Sequence, residues 1–213
     1  MRPAMTHVVL LGDSIFDNQA YIGSAPDVVQ QLRARLGPGW SATLLAVDGH
    51  VTADVRGQLA RLPRDASHLV VSVGGNDALG SSSVLAERAT SVADAVGRLA
   101  EAQSRFRRDY TAMVEAVLAR KLPTALCTVY DTLYPEPQRR LVVAALALFN
   151  DVITRAAFAH RLPVIDLRLI CDDPADYANP IEPSARGGDK IAAAIARMAR
   201  SGAAPTGAST VWA

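Results

Sequence analysis

The sequence predicts an α/β fold, a three-layer α/β/α sandwich built on a five-stranded parallel sheet. Five short apolar runs recur: His7 to Leu11, Ala42 to Val47, His68 to Val73, Pro123 to Val129 and Leu162 to Leu167. Val, Leu, Ile and Ala dominate them without polar alternation, the pattern of strands buried on both faces of a parallel sheet. Helical patterns separate the runs, and strands alternating with helices require right-handed crossovers that cover both faces. The 213 residues, 50% hydrophobic and 20% charged, suffice for one full core.

In chain order, the first strand ends abruptly in Gly12-Asp13-Ser14, so a serine sits on the turn after a buried strand. A helix over Asp27 to Leu36 follows Pro26 and stops at the breaker Gly37-Pro38-Gly39. The second strand leads into Asp48-Gly49-His50-Val51-Thr52, and a helix from Thr52 as N-cap to Leu62 ends at Pro63. After the third strand comes Gly74-Gly75-Asn76-Asp77, then a long helical stretch, Val84 to Lys121, with a break or bend expected near Ala102 to Arg105. The fourth strand opens into Tyr130 to Pro135 and a helix over Pro137 to His160. The fifth precedes a long connection, Ile170 to Arg186, and a closing helix, Gly187 to Arg200, with Ile191, Ile195 and Met198 on one face. This gives a single domain over residues 1–200 and a flexible tail over 201–213.

Several function classes are disfavoured. A net charge of +1 with scattered Lys and Arg gives no electrostatic footprint for nucleic acid. Cys127 and Cys171 lie in apolar settings as small buried hydrophobes, and without a Cys/His cluster no metal site is expected. The apolar run after Met1-Arg2 is too short for a signal core, and no segment reads as a membrane span, so a soluble, cytoplasmic protein is expected. The first turn lacks Gly-x-Gly-x-x-Gly and no phosphate-binding loop occurs, which argues against nucleotide binding.

In open α/β sheets, ligands bind at the carboxyl ends of the strands. The loops after the first, second, third and fifth strands therefore meet on one edge and bring Ser14, Gly49, Asn76 and the Asn179 to Ser184 segment together. These are the parts of an acyl-transfer site. Ser14 supplies a nucleophilic oxygen, while its N–H, the N–H of Gly49 and the Asn76 amide supply donors for an oxyanion. Taken singly, each position also reads as a turn glycine or a helix cap; the ordered set favours chemistry.

That ordered set resembles the SGNH hydrolases, the GDSL esterase and lipase family, through Gly12-Asp13-Ser14, Gly49 and Gly74-Gly75-Asn76-Asp77. The resemblance implies a flavodoxin-like fold, Ser14 as nucleophile and Ser14, Gly49 and Asn76 as oxyanion donors. It implies a small-molecule ester or thioester substrate, a lipid or acylated sugar included, and no cofactor. The fourth block departs from the family pattern: Asn179 and Glu182 stand where the family carries an Asp and a His.

Two roles remain for Glu182. A free glutamate, with a pKa of about 4.3, is a poor base. Burial can raise it to about 6–7, where it can take a serine proton; Asn179 would then orient the carboxyl group. Alternatively, Glu182 caps the last helix or pairs with Arg186, and the protein is a catalytically silent binder of a small ligand. His50, beside Gly49, is the histidine best placed to substitute as base or else lies on the cleft rim. His7, His68 and His160 read as structural. Asp13 and Asp77 are auxiliary candidates, and Asp17, Asn18 and Asp77 suit loop anchoring. Phe16, Tyr130 and Tyr134 are expected to line the substrate pocket.

Overall fold

The computed structural model describes residues 6–201 and 209–213. The apolar runs become β1 (Thr6–Gly12), β2 (Trp40–Leu44), β3 (His68–Ser72), β4 (Thr124–Cys127) and β5 (Val164–Ile165). Between and after them lie α1 (Val28–Leu36), α2 (Val55–Leu59), α3 (Gly75–Gly80), α4 (Val92–Leu118), α5 (Gln138–Ala159), α6 (Leu167–Ile170) and α7 (Ala185–Arg200). A sixth strand, β6 (Val211–Trp212), completes a sheet of order β2-β1-β3-β4-β5-β6 in which every pair is parallel.

Side-chain alternation along β1 divides the core. Val8 and Leu10 face α1 and α7, where Leu32, Ile191 and Ile195 are buried; Val9 and Leu11 face α2, α4 and α5. Each such buried aliphatic side chain contributes roughly 1.5–3 kcal/mol. The chain passes from β1 outward to β2, then returns to β3 on the other side. The order reverses at β1, so the loops after β1 and β3 part there and leave a crevice.

Local chemistry accounts for most boundaries. Asp27 Oδ1 accepts from the Gln30 N–H at 2.7 Å and the Gln30 side chain accepts from the Asp27 N–H, a reciprocal cap that starts α1. Ser184 Oγ accepts from the Gly187 N–H at 3.2 Å and starts α7.

Four expectations are corrected. The long helical stretch is not interrupted at Ala102 to Arg105. Its buried stripe, Ala102, Phe106, Tyr110, Met113 and Val117, continues at helical spacing, and the break falls earlier, where Ser91 caps α4. Thr52 does not cap a helix: its N–H and hydroxyl both donate to Asp77 Oδ2, and a short 3₁₀ turn precedes α2, which ends at Leu59. Residues 209–213 of the expected flexible tail are held against the sheet. The N–H groups of Val164 and Asp166 donate to the carbonyls of Thr210 and Trp212, both at 2.8 Å, because an uncovered β5 would leave its edge unpaired. Trp212 packs against the α1/α7 layer, while residues 202–208 of that tail lie outside the described residues. Finally, α5 has the length and composition of a membrane span, with a mean hydropathy of 1.7. Here it flanks the sheet: Phe149 stacks on Phe106 of α4 at 4.8 Å, and the Asn150 side chain bonds both the N–H and the carbonyl of Val129.

Candidate active site

Ser14 lies just past β1, and its hydroxyl donates to Glu182 Oε1 at 3.1 Å. The two residues are 168 positions apart, so the contact depends on how the Ile170 to Arg186 connection is held. That segment is fastened from outside at three points. The Tyr130 hydroxyl donates to the Ile181 carbonyl (2.8 Å), the Leu133 N–H to the Pro180 carbonyl (2.9 Å), and the Asn18 amide to the Pro183 carbonyl (3.3 Å). Within the segment, Asn179 Oδ1 accepts from the N–H groups of Ile181 and Glu182, each at 3.0 Å. Asn179 therefore shapes the backbone before Glu182; the expected bond to the carboxyl group is not what its oxygen makes.

The alternative roles weighed for Glu182 fall to other residues. Ser184 caps α7, and Arg186 pairs with Asp173 and Asp176. Glu182 is 6% exposed, and its Oε2 has no hydrogen-bond partner among the described residues. Burial pushes its carboxyl up to about 7, opposed by the Ser14 hydroxyl and reinforced by Asp48. A carboxyl group with that value divides its population between acid and base near neutrality, which suits proton shuttling.

Asp13 is buried as well. Its Oδ1 accepts from the Ile15 N–H at 3.2 Å. Burial raises its carboxyl to about 8 against that bond, with further upward pressure from Glu182, Asp77 and Asp48. Asp77 is also pushed up by burial, and it anchors the loop after β3 to the one after β2 through Thr52. Asp17 and Asn18 hold loops too, Asp17 Oδ2 by accepting from the Asp48 N–H at 2.9 Å and Asn18 by accepting from the Val28 N–H at 3.2 Å.

Gly49 occupies the third position of a turn closed by the His50 N–H on the Val47 carbonyl, and its φ of +80° is one that glycine adopts without strain. The N–H groups of Ser14 and Gly49 donate to no acceptor among the described residues. The Asn76 amide donates one hydrogen to the His50 carbonyl at 2.9 Å, which fixes its plane and leaves its second N–H available. Ser14, Asn76, Tyr130 and Tyr134 line one cleft beside the crevice.

One sequence expectation is overturned, and of the two roles weighed for His50 no hydrogen bond supports that of base. Phe16 is fully buried in the α1/α7 layer and does not line the cleft, because the turn after Ser14 folds its ring inward. No hydrogen bond joins His50 to Ser14; its Nδ1 lies 3.0 Å from the Gln58 amide nitrogen, which makes that ring atom an acceptor and ties the imidazole down. Gln58 itself was missed. Fully buried, it bonds the N–H (2.8 Å) and the carbonyl (2.7 Å) of Gly12, fixing the strand end that carries Ser14. A polar residue inside the apolar spacing Val55, Gln58, Leu59 was the available signal.

The connection also depends on α7 approaching closely. A methyl group at Gly187 would stand 2.1 Å from the Asp176 carbonyl oxygen. Gly187→Ala should therefore push the Asp176 to Ser184 segment off α7, lowering stability by about 1–3 kcal/mol in thermal or urea unfolding.

The model of the GDSL-like lipase/acylhydrolase family matches residues 10–203. Among solved structures, the extracellular lipase of Streptomyces rimosus superposes with a TM-score of 0.68 at 18% identity, covering 91% of this chain and 99% of that one. Phospholipase A1 of Streptomyces albidoflavus NA297 gives 0.65 at 19% identity, covering 92% and 99%. Est24, a carbohydrate acetylesterase of Sinorhizobium meliloti, gives 0.64 at 14%, again covering 92% and 99%. At such identities the likeness is one of fold. No curated protein matches the sequence. With its model spanning most of the sequence, the chain belongs to the GDSL-like lipase/acylhydrolase family.

Proposed function

We propose that the protein is a serine hydrolase of carboxylic esters in which Glu182 serves as the general base. The observation that carries this reading is the Ser14 hydroxyl donating to a buried carboxylate at 3.1 Å. Glu182 Oε1 takes the proton as Ser14 Oγ attacks the ester carbonyl carbon. The oxygen of the tetrahedral adduct is met by the N–H groups of Ser14 and Gly49 and the free N–H of Asn76. Glu182, now a carboxylic acid, gives the proton to the departing alkoxide and leaves an acyl group on Ser14. Water then attacks that acyl carbon while Glu182 accepts the water's proton, and Ser14 recovers its hydrogen as the acid departs.

The test is covalent capture. A fluorophosphonate should add to Ser14, seen as a mass shift on its peptide, and Ser14→Ala should abolish both the adduct and p-nitrophenyl acetate turnover. Because only ionised Glu182 accepts a proton, kcat/KM should climb with pH and level off above an apparent pKa near 7, the value burial gives that carboxyl. No adduct and no turnover would return the protein to the class of silent ligand binders.

A further inference from the structure

We propose that the cleft beside Ser14 receives the hydrocarbon chain of a medium- to long-chain acyl ester whose alcohol is uncharged. This rests on the serine hydrolase reading and adds the substrate class. The cleft has a cavity volume of about 150 Å³, and Ser14 and Asn76 form part of its lining. Its walls are aliphatic or aromatic: Leu79 and Leu85 follow β3, Leu99 lies on α4, and Leu146 and Phe149 lie on α5. Leu79 and Leu85 are 40% and 39% exposed, an apolar lip that an acyl chain would cover. An acetyl group would leave nearly all of this surface wet. Each methylene that enters it is removed from water, and that gain is available to the transition state of a bound ester.

The alcohol side is constrained by charge. Residues 13–27, 45–54, 73–87 and 128–137, the segments after β1 to β4, contain no Lys or Arg, and the two arginines of the connection after β5 are paired, Arg168 with Asp166 and Arg186 with Asp173 and Asp176. The loops at this edge carry Asp17, Asp48, Asp131 and Glu182 among their acids. Asp13, whose carboxyl is held protonated near neutrality by burial, is the one Asp, Glu, Lys or Arg lining the cleft. A phosphate-bearing leaving group would meet carboxylates, and the arginines of the connection after β5 are already committed to Asp166, Asp173 and Asp176.

The experiment compares p-nitrophenyl acetate with p-nitrophenyl octanoate, and octanoyl-CoA with the uncharged thioester octanoyl-N-acetylcysteamine. The octanoate should exceed the acetate in kcat/KM by about tenfold or more, and the uncharged thioester should exceed the CoA ester. Ala145→Trp, which fills the cleft from α5, should erase most of the octanoate advantage. Acetate turned over with no octanoate preference, an Ala145→Trp variant that lowers both alike, or CoA ester preferred, would overturn the proposal and leave the hydrolase reading intact. If neither ester turns over, calorimetric binding of 2-decanone decides: saturable binding weakened by Ala145→Trp supports the cleft, and no binding overturns it.

Discussion

Glu182→Gln is expected to reduce kcat/KM by about 10²–10⁴-fold, the range of a removed general base. Glutamine keeps the length and nearly the shape of the side chain, so its oxygen can still accept from the Ser14 hydroxyl; what disappears is the capacity to take that proton. The rising limb of the pH profile near 7 should vanish with it. Stability separates this from misfolding. In the fold, burial raises the Glu182 carboxyl from 4.5 to about 7. The folded state therefore favours the proton, and stability falls as pH rises from 4.5 through 7. Glutamine does not titrate, so at pH 8 the variant should melt no lower than the parent. Full activity in Glu182→Gln would place the base elsewhere and end the proposed mechanism.

Asp13→Asn is expected to make the protein more stable in alkali. Burial raises this carboxyl from 3.8 to about 8, so the native state holds a proton that the unfolded chain releases. The sign follows: the contribution to stability is complete below 3.8 and is withdrawn as pH rises through 8. With about 1.36 kcal/mol per unit of pKa difference, the loss at pH 8 is several kcal/mol, large beside a total of about 5–15. Asparagine keeps an oxygen for the Ile15 N–H and carries no charge. Urea unfolding should show the variant ahead by about 2–5 kcal/mol at pH 8 and level with the parent near pH 4. A difference that ignores pH would refute the buried-acid account.

The sheet was legible because burial on both faces writes itself into unbroken runs such as Val8 to Leu11 and Leu69 to Val71. The start of α1 was legible because Pro26 and Asp27 act locally. Ser14 and Glu182 were legible as candidates, being chemistry-bearing residues placed after strands. Their contact was not, since it depends on Tyr130, Asn18 and Asn179 holding a distant segment in place. The same limit applies to Phe16, whose burial is decided by α1 and α7, and to His50, whose ring is committed to Gln58. The two residues of β6 are too few to carry a periodic signal, and only the open flank of β5 shows why they pair there. Gln58 and Asn150 offered a local clue, a polar residue within an apolar helical stripe.

The acidic rim, whose arginines are already paired, bears on turnover. Cleaving an uncharged ester creates a carboxylate where a neutral group stood, so the reaction converts a tolerated guest into one that Asp17, Asp48 and Glu182 repel. The hydrocarbon that draws substrate in would by itself retain the fatty acid. Repulsion at the newly ionised end opposes that retention, so emptying of the cleft should slow at high salt or at a pH low enough to neutralise the acid.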